Sequence, residues 1–326
     1  MQIFNSLDQL NIDDKTSVAL GNFDGIHAGH REIMRNALET AKERGLRSLC
    51  FTFSNHPFNF ILRREDSDPD AVKLICTEEE KKALIEDMGF DILVNVPFDE
   101  NIMKMKAHDF FEDIVRSKLN AGHVSVGFNY TYGARAEGKP EMLKEECDKA
   151  GISISVHDAV TVEGHVVSST LIREMIATGN MELTAKFLGR PYSFSGTVSH
   201  GKRLGSKMGI PTINIPAPDR QMLPPNGVYF SRIDIAGTTY DSVSNLGFNP
   251  TVNEGIAVRK IETNIFGYES PEGGAYGKDV TVYFDHFSRG ERKFRDKEEL
   301  FAQIARDCAN ALEYRKKKID NTGLSC

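Results

Sequence analysis

Apolar residues follow one spacing in the first part of this chain and another in the second. From residue 1 to about residue 188, short apolar runs alternate with segments whose apolar positions fall three and four apart, the helical period. Ser17 to Leu20, Leu46 to Phe53, Ile92 to Val96, Val124 to Val126 and Ile152 to Val156 read as strands. Between them, Ile33, Met34, Ala37, Leu38 and Ala41 predict a helix from about Ala28. Thr77-Glu78-Glu79-Glu80 has capping-box spacing and opens a helix that runs to Met88. Further helices are predicted from about His108 to Leu119, with Phe111, Ile114, Val115 and Leu119 inward, and over Glu141 to Ala150 and Met181 to Leu188. Gly45, Gly89 and Gly151 stand where these helices stop. Arg63 to Asp70 is charged and reads as a mobile loop. This repeated strand-then-helix order predicts a mostly parallel sheet flanked by helices.

Gly189-Arg190-Pro191-Tyr192 is a hinge into a different texture. Beyond it, β-branched, aromatic and glycine-rich segments replace the alternation of strand and helix. Gly227 to Ile235 and Asp279 to Phe284 alternate in the strand manner with turn residues between, which predicts a small antiparallel barrel. Asp296 then caps a closing helix with Leu300, Ile304 and Cys308 on its buried side. The expected layout is α/β, with one domain over 1–188, a second over 189–314, and a frayed polar tail from Arg315 to Cys326.

Composition narrows the picture. A chain of 326 residues with 40% hydrophobic content builds its cores without disulfides. Its five cysteines are an odd number with no C-x-x-C pair, so neither a disulfide framework nor a zinc site is indicated. The N-terminus lacks the basic and apolar regions of a signal peptide, and no apolar run is long enough to span a bilayer. A reducing cytoplasm is the expected location, with no membrane partner. A net charge of -7 argues against a nucleic-acid partner. It leaves room for polyphosphate chemistry, which needs only local positive charge.

That chemistry has a candidate seat in Gly21-Asn22-Phe23-Asp24-Gly25-Ile26-His27-Ala28-Gly29-His30, between the first long strand and its helix. Glycines let backbone pass close to a phosphate, and a helix start offers unpaired N–H donors there. His27 and His30, three apart, lie together at the first helical turn. The string resembles the adenylyltransferase motif of the bacterial bifunctional riboflavin kinase/FAD synthetase family, within the nucleotidylyltransferase superfamily. The resemblance implies a Rossmann-like first domain in which His27 and His30 meet the phosphates of ATP, with Gly21, Phe23, Asp24 and Gly29 around the nucleotide. Ser54-Asn55-His56-Pro57 ends the next strand and resembles the family's flavin-side element; His56 also reads as a plain loop histidine. Asn129, in the loop after Val126, takes a flavin-contacting role by resemblance, whereas Tyr130 and Tyr132 read as cover for the sheet. In Val167-Ser168-Ser169-Thr170-Leu171-Ile172-Arg173, Ser169 or Thr170 reads as a helix cap. The family pattern adds Ser169 to the nucleotide site and Arg173 to the outgoing phosphates, and it often carries a second arginine where this chain has Leu171.

In the second domain, Gly201, Gly205 and Gly209 suit a loop over phosphates, with Lys202, Arg203 and Lys207 as local charge. Pro211-Thr212-Ile213-Asn214 resembles the riboflavin kinase Pro-Thr-Ala-Asn motif with Ile213 for alanine. By resemblance Thr212 and Asn214 hold Mg²⁺ and nucleotide, Gly201 and Lys207 meet the nucleotide, and Glu262 is the base for the ribityl hydroxyl. Asn264 replaces a histidine common in relatives. Arg289 fits either a phosphate contact or a surface salt bridge. The implied enzyme takes ATP, riboflavin and FMN as substrates: the second domain phosphorylates riboflavin to FMN, and the first adenylylates FMN to FAD with release of pyrophosphate. The alternatives are adenylylation alone beside a degenerate kinase domain, or a flavin and nucleotide-binding regulator without turnover. Oligomeric state is open.

Overall fold

The computed structural model describes residues 1–64, 72–199, 212–249, 258–268 and 275–322. The chain divides into two compact units, Met1–Leu171 and Ile172–Cys326.

The first unit is built on six parallel strands: β1 (Gln2–Phe4), β2 (Thr16–Leu20), β3 (Arg47–Phe53), β4 (Ile92–Val96), β5 (Ala121–Gly127) and β6 (Ser153–His157). Their order across the sheet is β1-β4-β3-β2-β5-β6, and every pair is parallel. β2 and β4 are buried at every position, as continuous apolar runs covered on both faces must be. The chain steps outward from β2 through β3 to β4 and then returns to pair β5 on the other side of β2. That reversal opens a crevice beyond the C-terminal ends of β2 and β5, where ligands bind in sheets of this kind.

Helix α1 (Ala28–Arg44) starts where the apolar spacing predicts and ends on Gly45 in the left-handed conformation. In α2 (Pro57–Arg64) the chain is already helical where Arg63 was expected to open a loop; residues 65–71 lie outside the described residues. Pro57 begins this helix with the φ it favours, and the Asn59 amide clamps Val72 by donating to its carbonyl at 2.8 Å and accepting from its N–H at 3.0 Å. Helix α3 (Glu78–Asp87) has the full capping box between Thr77 and Glu80. After α4 (Glu100–Lys104) and the single turn α5 (Ala107–Asp109), Phe110–Lys118 forms a π-helix, not the ordinary helix expected. Its wide turn, closed where Leu119 N–H donates to Ile114 O, buries Phe110, Phe111, Ile114 and Val115 together. α6 (Pro140–Ala150) precedes β6, and a short hairpin, β7 (Thr161–Val162) and β8 (His165–Val166), precedes α7 (Ser169–Ala177).

The second unit takes up the end of α7, then α8 (Met181–Leu188) and six strands. These are β9 (Tyr192–Thr197), β10 (Thr212–Pro216), β11 (Gly227–Ile235), β12 (Thr238–Asn249), β13 (Val258–Ile265) and β14 (Asp279–Gly290). They form an antiparallel sheet in the order β10-β13-β12-β11-β14-β9. Its two edges meet at one bridge, where Ser199 N–H donates to Asn214 O at 2.8 Å, so the sheet curls round on itself as the turn pattern predicts. Helix α9 (Lys297–Thr322) is capped by Asp296 and covers Val228, Phe230 and Val243. The tail expected to fray continues this helix to Thr322. Arg315 bonds Asp241 at 3.0 Å, and Lys318 reaches Asp285 at 3.4 Å, which pins residues that sequence polarity alone marks as loose.

Candidate active sites

The turn after β2 is held in a conformation few side chains choose. Phe23 and Ile26 have positive φ, 48° and 42°, and both are fully buried, so packing over-determines the strain. Gly21 has to be glycine because a Cβ there would come within 2.8 Å of the Phe23 ring. Asp24, expected at the nucleotide, has its carboxylate turned to the Ile75 N–H, at 2.9 Å, and the Cys76 N–H, at 3.4 Å. It ties the turn to the residues before α3. Its carbonyl accepts from Ser169 Oγ at 3.2 Å, which brings Ser169 to this turn. The cap of α7 is therefore Ser168, whose Oγ accepts from Leu171 N–H, and not Ser169 or Thr170.

His27 caps α1: its Nδ1 accepts the His30 N–H at 3.3 Å. An acceptor nitrogen carries no proton, so the neutral ring keeps its N–H at Nε2. The His30 ring stacks on His27 with centroids 3.6 Å apart, and the edge of Phe23 meets it at 5.3 Å. Gly29 leaves the room for this, since a Cβ there would touch the His27 ring at 3.3 Å. Burial, the His27 ring and the Lys81 ammonium, in that order, hold His30 well below the usual histidine range. Its Nδ1 is buried without a hydrogen-bond partner among the described residues. A neutral ring with an unspent polar atom is poised for one directed hydrogen bond.

His30 opens into a cavity of about 500 Å³. Gly21 and Phe23 line it from β2, His56 and Pro57 from the end of β3, and Asn129 from the end of β5. Residues called separately from three strand ends thus share one space. Tyr130 and Tyr132, read as sheet cover, line it too, their rings stacked 5.8 Å apart. Sequence reasoning missed Phe53, Phe58, Ile61, Phe98, Ile102 and Arg135 on its walls. The signal for Phe58 and Ile61 was their three-residue spacing just before the charged stretch. Arg173 lies beyond the first unit, on the part of α7 that belongs to the second.

In the barrel, pairing register decides which side chains meet. Thr212 lies opposite Asn264 and Asn214 opposite Glu262, while Asn245 flanks Glu262 from β12. Opposed residues of an antiparallel pair share a face, so Thr212, Asn214, Asn245, Glu262 and Asn264 project to one side of the sheet. They present a hydroxyl, three amides and a carboxylate, all with oxygen donors. Arg289 is committed elsewhere: its guanidinium grips the Asp307 carboxylate of α9 at 2.7 and 3.1 Å, the salt-bridge alternative. Gly201 and Lys207 lie outside the described residues.

A family model described as FAD synthetase matches residues 9–171, and one described as riboflavin kinase matches residues 188–315. The bifunctional riboflavin kinase/FMN adenylyltransferase of Bacillus subtilis is 33% identical, with 92% of each chain covered. The chain belongs to the bifunctional riboflavin kinase/FMN adenylyltransferase family. A family member of the same name from Escherichia coli is 30% identical over 91% of this chain and 92% of its own. The family's shape also appears in a solved Streptococcus pneumoniae structure named as a macrolide-efflux protein, at a TM-score of 0.83 and 30% identity over 94% of this chain and 96% of that one. Among the described residues of this family member, no helix is long and apolar enough to cross a membrane.

Proposed function

We propose that this enzyme phosphorylates riboflavin with ATP in its barrel unit and adenylylates the resulting FMN in its first unit. The observation that carries the reading is the cavity at the sheet's reversal point, with His30 of the stacked histidine pair at one side and an apolar, aromatic wall at the other. About 500 Å³ suits a fused aromatic ring system. In adenylylation an FMN phosphate oxygen attacks the α-phosphorus of ATP, a new P–O bond forms, and the bond to pyrophosphate breaks. The attacking phosphate is already ionised at neutral pH, so no strong base is required. His30, neutral, donates a hydrogen bond to an ATP phosphate oxygen; His27, with its proton fixed on Nε2, donates another. Their work is orientation and stabilisation of charge as it moves. Gly21 borders that space, Gly29 leaves room for the His27 ring, Asp24 and Ser169 brace the turn from behind, and Asn129, His56 and Pro57 contact the flavin. Arg173 takes the outgoing phosphates on resemblance alone.

In the kinase step the ribityl hydroxyl oxygen attacks the γ-phosphorus of ATP and ADP leaves. Glu262 accepts the hydroxyl proton. Thr212 and Asn214 offer the hard oxygen donors that suit Mg²⁺, which, when bound with the nucleotide, offsets phosphate charge. Ile213 points to the other face of β10 and leaves that donor pair intact. The experiment is chromatography of a reaction containing riboflavin, ATP and Mg²⁺. FMN followed by FAD is the expected result. FAD formed only from added FMN would restrict the activity to the first unit, and unchanged bound flavin would reject catalysis.

A further inference from the structure

Lys81 of α3 is a charged side chain only 8% exposed. Burying an ammonium costs several kcal/mol, which an apolar side chain of the same reach would not. Its return is in what it holds. The Nζ donates to the carbonyl of Phe53 at 2.6 Å and lies 3.5 Å from Thr52 Oγ1. Thr52 Oγ1 in turn donates to the carbonyl of Asn22 at 2.9 Å. Phe53 is the last residue of β3, from which the chain passes into Ser54-Asn55-His56-Pro57. Asn22 is the middle of the Gly21–Phe23 turn. One ammonium therefore joins, through two backbone carbonyls, both loops that border the cavity. Asn22, Phe53 and His56 line that cavity and also a neighbouring recess reached by Asp24, Cys76 and Lys81.

We propose that Lys81 is a positioning residue for adenylyl transfer, fixing the distance between the histidine-bearing turn and the flavin-bearing loop without touching either substrate. The proposal rests on the reading of the first unit as the FMN adenylyltransferase. The charge has a second effect. Burial, the largest influence, brings the Lys81 pKa below the usual lysine range, while the groups facing it, Cys76, Asp24, Cys50 and Glu78, offset part of that by favouring its protonated form. Facing His30 are His27 and Lys81, both of which disfavour a proton on the ring. Lys81 thus helps keep His30 a neutral hydrogen-bonding group.

The test compares Lys81→Met and Lys81→Arg in the full chain, with FMN and ATP as substrates, and follows His30 by NMR of histidine-labelled protein. A misplacement of about an ångström costs ~10²-fold, so Lys81→Met is expected to lose about that much kcat with KM values within about threefold. In the same variant the His30 titration midpoint rises above the wild-type one. Lys81→Arg, which keeps the charge and the donors, recovers most of the rate and returns the midpoint. Wild-type kcat in Lys81→Met overturns the proposal; so does a Lys81→Arg variant as impaired as Lys81→Met with His30 unmoved. Should Lys81→Met not fold, Lys81→Gln is read by the same two measurements. Wild-type protein that makes no FAD from FMN would instead reject the adenylyltransferase reading itself.

Discussion

The rings of His27 and His30 lie 18° from parallel with centroids 3.6 Å apart, and the main-chain N–H of the second bonds the ring of the first. The pair is a unit, and replacing one member disturbs the other. His30→Ala is expected to lower FAD formation from FMN by at least ~10²-fold while riboflavin phosphorylation continues. Separate chromatographic assays of the two steps check this, and equal loss of both would reject separate sites.

Glu262 stands between Asn214 and Asn245 on one face of the barrel. Glu262→Ala should stop FMN production by ~10²-fold or more while supplied FMN is still adenylylated. Unchanged kinase turnover would remove Glu262 from its role.

Gly21→Ala sets a methyl group within 2.8 Å of the buried Phe23 ring. Phe23 is fully buried and its ring meets His30, so a cost of about 1 to 3 kcal/mol is expected, together with loss of adenylylation as the displaced ring disturbs His30 or enters the cavity. Thermal denaturation and the FMN assay read the two effects.

Acid should weaken the first unit through a histidine that lies outside the cavity. His123, buried on β5, bonds Ser153 Oγ at 2.8 Å and Asn36 Oδ1 at 3.2 Å. Burial first, then Arg44 and His157, bring its pKa down to about 4. The unfolded chain binds a proton near pH 6.5, so between about 6.5 and 4 it holds more protons than the folded one. Stability is therefore full above pH 6.5 and declines as pH falls toward 4. Denaturation midpoints across that window should show the slope, and His123→Gln should flatten it.

Arg289→Ala leaves the Asp307 carboxylate, which is 4% exposed, without its guanidinium. Stranding a buried charge costs about 3 to 5 kcal/mol, and the loss should appear in the barrel unit's melting and in FMN formation. Adenylylation of supplied FMN should persist.

Much of this architecture was legible in the chain because local rules and tertiary packing agree there. The helix from Ala28 to Gly45, the Thr77 capping box and the buried strands are each written in spacing and end residues. The π-helix was not legible: Phe110, Phe111, Ile114 and Val115 fit an ordinary helical face, and the widened turn is settled by packing against the sheet. Nor was α9 beyond Tyr314, since what holds Arg315 and Lys318 is acidic partners on β12 and β14, distant in sequence. At the site, motif residues were found because each sits at a strand end. The wall residues Phe98 and Ile102 look like any core residue in one dimension. That the Asp24 carboxylate accepts from Ile75 and Cys76 N–H and that Ser169 Oγ donates to Asp24 O could not be read from the chain, because those partners are distant in sequence.

Helix α1 begins on the same imidazole that lies against the His30 ring. Exchanging His27 for an aliphatic side chain therefore removes the cap of the helix and one half of the stacked pair in a single change, so where the helix starts and how the pair is presented are inherited together.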